Sequence, residues 1–136
     1  MNRSLVGCMA ALVLVYLAGA AIAVDHGLSE TFLDAVGPNG RLSAPIPMIV
    51  LQVVAVGLAV SSRRGVALTG SAVVTLACAV AVISGFFDGG YADTRLTAFE
   101  RVYQFTVIGG IVALGALGLI TFVHRLRAGR DAALTV

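Results

Sequence analysis

The stretch Val66–Phe87, VALTGSAVVTLACAVAVISGFF, decides the fold of this chain. It runs for 22 residues without a charge. Coiled as an α-helix it would be about 33 Å long, enough to cross a hydrocarbon core about 30 Å thick. Its residues do not alternate between polar and apolar, as those of a membrane barrel strand would. Lipid offers the backbone no hydrogen bonds, so a run of this length and uniformity reads as a helix.

Three further uncharged runs share the character of the first: Leu5–Val24, Ala44–Val60 and Val102–Val123. The expectation is an all-α integral membrane bundle, one domain over 1–136, with spans at 5–24, 44–60, 66–87 and 98–124. The last span starts ahead of its uncharged run because Thr97 and Glu100 form a T-x-x-E capping box. Ser43 is the expected N-cap of the second span, with Pro45 and Pro47 in its first turn, where a missing amide costs little. Between the first two spans, residues 29–36 read as a short interfacial helix. Ser29 would cap it, Gly37 would supply a left-handed stop, and Pro38 forbids continuation. Phe32, Leu33 and Val36 would give it an apolar side for the membrane surface.

The composition agrees. The chain is 59% hydrophobic and 12% charged over 136 residues, and a water-soluble fold this small has too little interior to hide that much apolar surface. The formal charge of +2 is too small, and too dispersed, for a nucleic-acid partner. All nine basic residues are arginine, a usage that points to a GC-rich bacterium and hence to a multi-pass protein of the bacterial cytoplasmic membrane. Arg3, Arg63, Arg64, Arg125, Arg127 and Arg130 flank one side of the bundle, and Arg41, Arg95 and Arg101 the other. The positive-inside rule then sets both termini inside. Phe86, Phe87, Tyr91, Phe99 and Tyr103 mark the outer boundary, where Gly89-Gly90 reverse the chain. A second reading takes residues 1–23 as a signal peptide ending in Ala21-Ile22-Ala23, which would leave three spans. The run through Val24 is long enough to span, which favours four. Leu5–Cys8 looks like a lipobox, but too few residues precede Cys8 for a signal sequence.

Chemistry is sparse. No Asp, Glu, Lys, Arg or His falls within an uncharged run, whereas proton-coupled pumps and ion pathways usually carry one there. Cys8 and Cys78 form no C-x-x-C motif and lie at different depths, about 8–10 Å apart along the bundle axis, too far for a disulfide. Small core fillers are the expectation for both. His26 and His124 sit at helix ends, too shallow to ligate haem. His124 joins Arg125 and Arg127 at a cationic terminus suited to anionic headgroups. His26, near Asp25, Glu30 and the outer-loop residues Asp88 and Asp93, reads as part of a solvated polar cap, with a metal site as the sharper alternative. No catalytic residue, cofactor or metal is assigned.

Tyr16, Gln52 and Thr75 fall near the midplane and form a candidate polar cluster, either packing glue or a small pocket. Gly7 with Ala11, Gly19 with Ala23, Ala77 with Ala81 and Gly85, and Gly109 with Ala113 are small-x-x-x-small pairs that let helices approach. The leading expectation is a non-catalytic accessory or scaffold subunit. Its partners are membrane lipids and either a larger membrane protein or further copies of itself. The alternative is a small-solute transporter or lipid-binding bundle with an uncharged midplane pocket.

Overall fold

The computed structural model describes residues 2–38, 40, 42–87 and 89–134, and within them the chain is helical without strands. Its helices are α1 (Asn2–Asp25), α2 (Phe32–Ala35), α3 (Ile46–Ala59), α4 (Arg64–Phe87) and α5 (Ala98–Leu134), with a 3-10 turn at Gly90–Ala92. Three of them, α1, α4 and α5, are long and apolar enough to cross a membrane. The fourth, α3, has 14 residues and is about 21 Å long. Residues such as Leu14, Leu76, Phe87, Val102 and Phe105 present large apolar side chains to the outside, as a helical bundle in lipid requires.

The four long elements close into a ring in which α3 packs on α4, α4 on α5, α5 on α1 and α1 on α3. The principal core draws on all four, among them Leu12 and Tyr16 of α1, Val56 of α3, Val74 of α4 and Leu114 of α5. A second, smaller core lies at the end of the bundle where α1 finishes and α5 begins, the outer end in the orientation expected from the arginines, where Ala35, Val36, Leu42 and Leu96 close over Ala20 and Ala23 of α1.

Local chemistry explains the ends. Gly27, with φ +70°, terminates α1. Its amide donates to the Val24 carbonyl at 3.1 Å and that of Leu28 to the Ala23 carbonyl at 2.8 Å, the paired bonds of a Schellman motif. Leu28 packs against the outer core beside Ala23, the hydrophobic contact that usually accompanies this motif.

Several expected boundaries shift. The short helix covers 32–35, not 29–36, because the Ser29 amide is drawn to the Ala23 carbonyl at 3.1 Å as part of the α1 terminus. Thr31 is the cap instead, accepting from the Asp34 amide at 3.2 Å and donating to its carboxylate at 2.7 Å. Gly37 supplies no left-handed stop; among the described residues that conformation belongs to Gly27 and Gly89. Ser43 does not cap α3. Pro45 holds that position with ψ 142°, and Ala44, preceding a proline, is steered away from the helical region. The first α3 amide, of Ile46, donates to the Val36 carbonyl at 2.9 Å, so the short helix and α3 complete each other. The α5 helix runs ten residues beyond the expected end at 124. There Arg125 donates to the Ser61 carbonyl at 3.4 Å, and the Arg64 side chain occupies the space beside Gly129.

Glycines sort by what faces them. Gly70 lets α4 touch the α3 backbone at Ala55, Leu58 and Ala59, and Gly115 and Gly118 bring α5 against Cys78 and Val74. Of the expected small-residue contacts, Gly19 receives the Leu42 backbone and also the Tyr103 ring of α5, which lets α1 and α5 approach, whereas Gly85 receives the Tyr91 ring and serves no helix–helix crossing. Gly7 and Gly109 have nothing against them within the chain.

Candidate functional site

Three polar assemblies result. The first lies in the core. Tyr16 donates to Gln52 Oε1 at 3.1 Å, and Gln52 Nε2 points to Cys78 Sγ at 3.8 Å. Tyr16 and Gln52 are both wholly buried, so the amide faces into the bundle. Thr75 is not bonded to this pair. Its hydroxyl donates to the Ser71 carbonyl at 3.0 Å and lies 3.4 Å from that of Gly115, which ties α4 to α5. The three residues share a level but face different seams. Cys8 and Cys78 are free thiols.

The second assembly closes the outer end. Thr97 and Glu100 make the expected box: the Thr97 amide and hydroxyl donate to Glu100 Oε2 at 2.6 and 2.8 Å, and the Glu100 amide donates back to Thr97 at 3.3 Å. Glu100 does more than cap, because its other oxygen accepts from His26 Nδ1 at 2.7 Å. A carboxylate only accepts, so Nδ1 carries the proton. Glu100 is 2% exposed and precedes the uncharged run of α5. Its two oxygens together accept three hydrogen bonds, from the Thr97 amide, the Thr97 hydroxyl and His26, which compensates the burial of the charge. His26 remains exposed, with 38% of its side chain accessible, as a solvated cap would be, and it also ties the end of α1 to the start of α5. Of the other acids weighed for a metal, Asp25 lies 4.0 Å from His26 Nε2, and Asp93 binds Arg95 at 3.0 Å and holds that guanidinium above its ordinary value. Among the described residues no three His, Cys, Asp or Glu groups gather as metal ligands. Asp88 and Arg41 lie outside the described residues.

The third assembly is a partly enclosed cavity of about 570 Å³ in the outer half of the bundle. Pro45 and Met48 of α3, Ala81 and Ser84 of α4, and Val107 and Ile111 of α5 form its walls, and the loop through Gly40 and Ser43 roofs it. Gln104, almost wholly buried, also faces it. Tyr91 completes the wall: its hydroxyl donates to the Val82 carbonyl at 2.7 Å, its ring covers Gly85, and Phe86 meets it edge-on at 4.8 Å. This volume falls within the range of about 300–1,000 Å³ typical of small-molecule sites. Tyr16, Gln52 and Thr75 do not line it. The residue that sequence reasoning passed over is Gln104, a lone amide in an apolar run and thus the counterpart of Gln52.

No protein family, curated protein or solved structure matches this chain.

Proposed function

We propose that the chain crosses a bacterial cytoplasmic membrane four times, with both termini inside, and binds a small molecule in its outer-half cavity without catalysing a reaction. The four-span reading is supported by the His26–Glu100 bond. It holds the end of α1 beside the start of α5, which a short turn joins to the end of α4. α1 and α4 therefore run the same way, and α3 must carry the chain back between them. At about 21 Å it is shorter than the hydrocarbon core, and the uncharged residues 44–45 and 60 extend it. Arginine placement supports the orientation. In a background lacking Cys8 and Cys78, an impermeant thiol reagent added outside should label Thr31→Cys and not Ser62→Cys; the opposite pattern would reverse the assignment.

The observation that carries the binding role is the cavity itself, walled by three helices and lined by a buried amide. Ala81→Leu should fill it. Native mass spectrometry of protein extracted in mild detergent should then find a small-molecule adduct on the wild type and none on the variant. Identical adducts on both, or none on either, would overturn the binding role.

The reading as an accessory or scaffold subunit draws on a different observation. Gly7 and Ala11 on α1, and Gly109 and Ala113 on α5, are exposed, and both glycines are unopposed. Such faces suit the close approach of another helix, from a larger protein or a second copy. A stoichiometric protein partner lost on Gly109→Leu, with the cavity empty, would favour this reading.

A further inference from the structure

The cavity lining specifies what the site takes, an inference that rests on the binding role proposed above. Among the described residues, none that lines it is Asp, Glu, Lys or Arg. Against those residues a charged ligand head would lose its hydration without gaining a counter-charge, which is costly in a site of low polarity. Polarity is also graded with depth. Gly40 and Ser43 lie in the outer loop, Ser84 near the outer end of α4, and Gln104 less than two turns into α5. Val107 and Ile111 lie farther into α5. From Gln104 to Ile111 the apolar part is about 10 Å deep, room for one short alkyl chain.

The hydroxyls add a direction. Ser84 donates its proton to the Ala81 carbonyl at 3.0 Å, and Tyr91 donates to that of Val82 at 2.7 Å. Both protons are committed to the backbone, so the two oxygens face a ligand as acceptors. A head that only accepts would leave them unmatched, whereas a head bearing hydroxyl groups would satisfy them.

We infer that the cavity binds a neutral single-chain amphiphile with a hydroxyl-bearing head, of the monoacylglycerol or fatty-alcohol kind, its head toward the outer surface and its tail toward Ile111. The probe is a medium-chain monoacylglycerol with a photoreactive tail, added to the full-length protein in phosphatidylcholine nanodiscs. Cross-links should map to Val107 or Ile111. Unlabelled monoacylglycerol should compete about tenfold better than the methyl ester of the same chain, the ratio expected for about 1.4 kcal/mol of lost hydrogen bonding. It should compete better still than the fatty acid at a pH where that acid is ionised. Ala81→Leu and the milder Ala81→Val should reduce cross-linking in order of side-chain size, with thermal unfolding used to confirm that each folds. If the ester or the carboxylate competes equally well, the head-group assignment is wrong while the cavity reading stands. If no amphiphile cross-links within the cavity, the binding role itself falls.

Discussion

The inner and outer halves of this bundle are built on different principles. In the inner half α3 and α4 touch backbone to backbone, because Gly70 places no side chain between them and the Ala55–Ala59 stretch. In the outer half Met48 of α3 and Ala81 of α4 instead line a cavity where a close-packed protein would have side chains. The roof is held from outside the cavity, by the small core under Leu42 and by the His26–Glu100 tie. A bundle tight at one end and braced at the other keeps a hollow that lipid tails and neighbouring side chains would otherwise fill.

The comparison can be broken most severely at Gly70. A methyl group there meets α3 backbone, not a movable side chain, so Gly70→Ala should cost about 1–3 kcal/mol, as overpacking does. Gly109→Ala, at an open position, should change stability little. Equal thermal shifts for the two variants would show that the inner seam is not close-packed.

Gln52→Leu should have a smaller effect. It removes the hydrogen bond from Tyr16 but also the desolvation cost of the amide, and bonds of this kind contribute about 0.6 kcal/mol on average and up to about 1.7 kcal/mol within membranes. A destabilisation of about 1 kcal/mol with ligand retention intact identifies the pair as packing. Loss of ligand without loss of stability would move the binding site from the outer cavity to the midplane.

The local effect of acid on the brace is the smallest. As a carboxylate Glu100 accepts from the Thr97 amide, the Thr97 hydroxyl and His26, and protonation in acid converts one of its oxygens to a donor and weakens that set. The protection of the Leu28–Val36 amides against hydrogen exchange, each rate taken relative to the intrinsic rate at that pH, should therefore be high at neutral pH and fall under acid. Glu100→Gln should exchange faster at neutral pH and respond less to acid. An unchanged pH response in Glu100→Gln would remove this carboxylate from the brace.

What could be read in the chain depended on whether an interaction was local. The Thr97–Glu100 box spans three residues, and it formed as its spacing implied. The α1 terminus was equally readable in Val24-Asp25-His26-Gly27-Leu28, where a glycine and then an apolar residue follow an apolar run. Ser29 and Ser43 misled because distant carbonyls decide those helix starts, Ala23 and Val36 taking the amides of Ser29 and Ile46. Counting along helices gives depth but not rotation, which is why Tyr16 and Gln52 meet while Thr75 turns to α5. The same limit applies to glycine spacing, which does not distinguish inward Gly70 from outward Gly109. The cavity was the least readable feature, since a void belongs to the arrangement of three helices and a loop and to no one segment.

The contrast between the halves is tested most directly by paired cysteine accessibility. In a background lacking Cys8 and Cys78, Ala81→Cys faces the outer cavity, and Ala67→Cys is wholly buried near the inner seam. Reaction with a small neutral thiosulfonate should be at least about tenfold faster at position 81, because access governs the rate at otherwise similar thiols, and it should slow when medium-chain monoacylglycerol is added. Equal rates at the two positions, unaffected by the amphiphile, would contradict a hollow outer half.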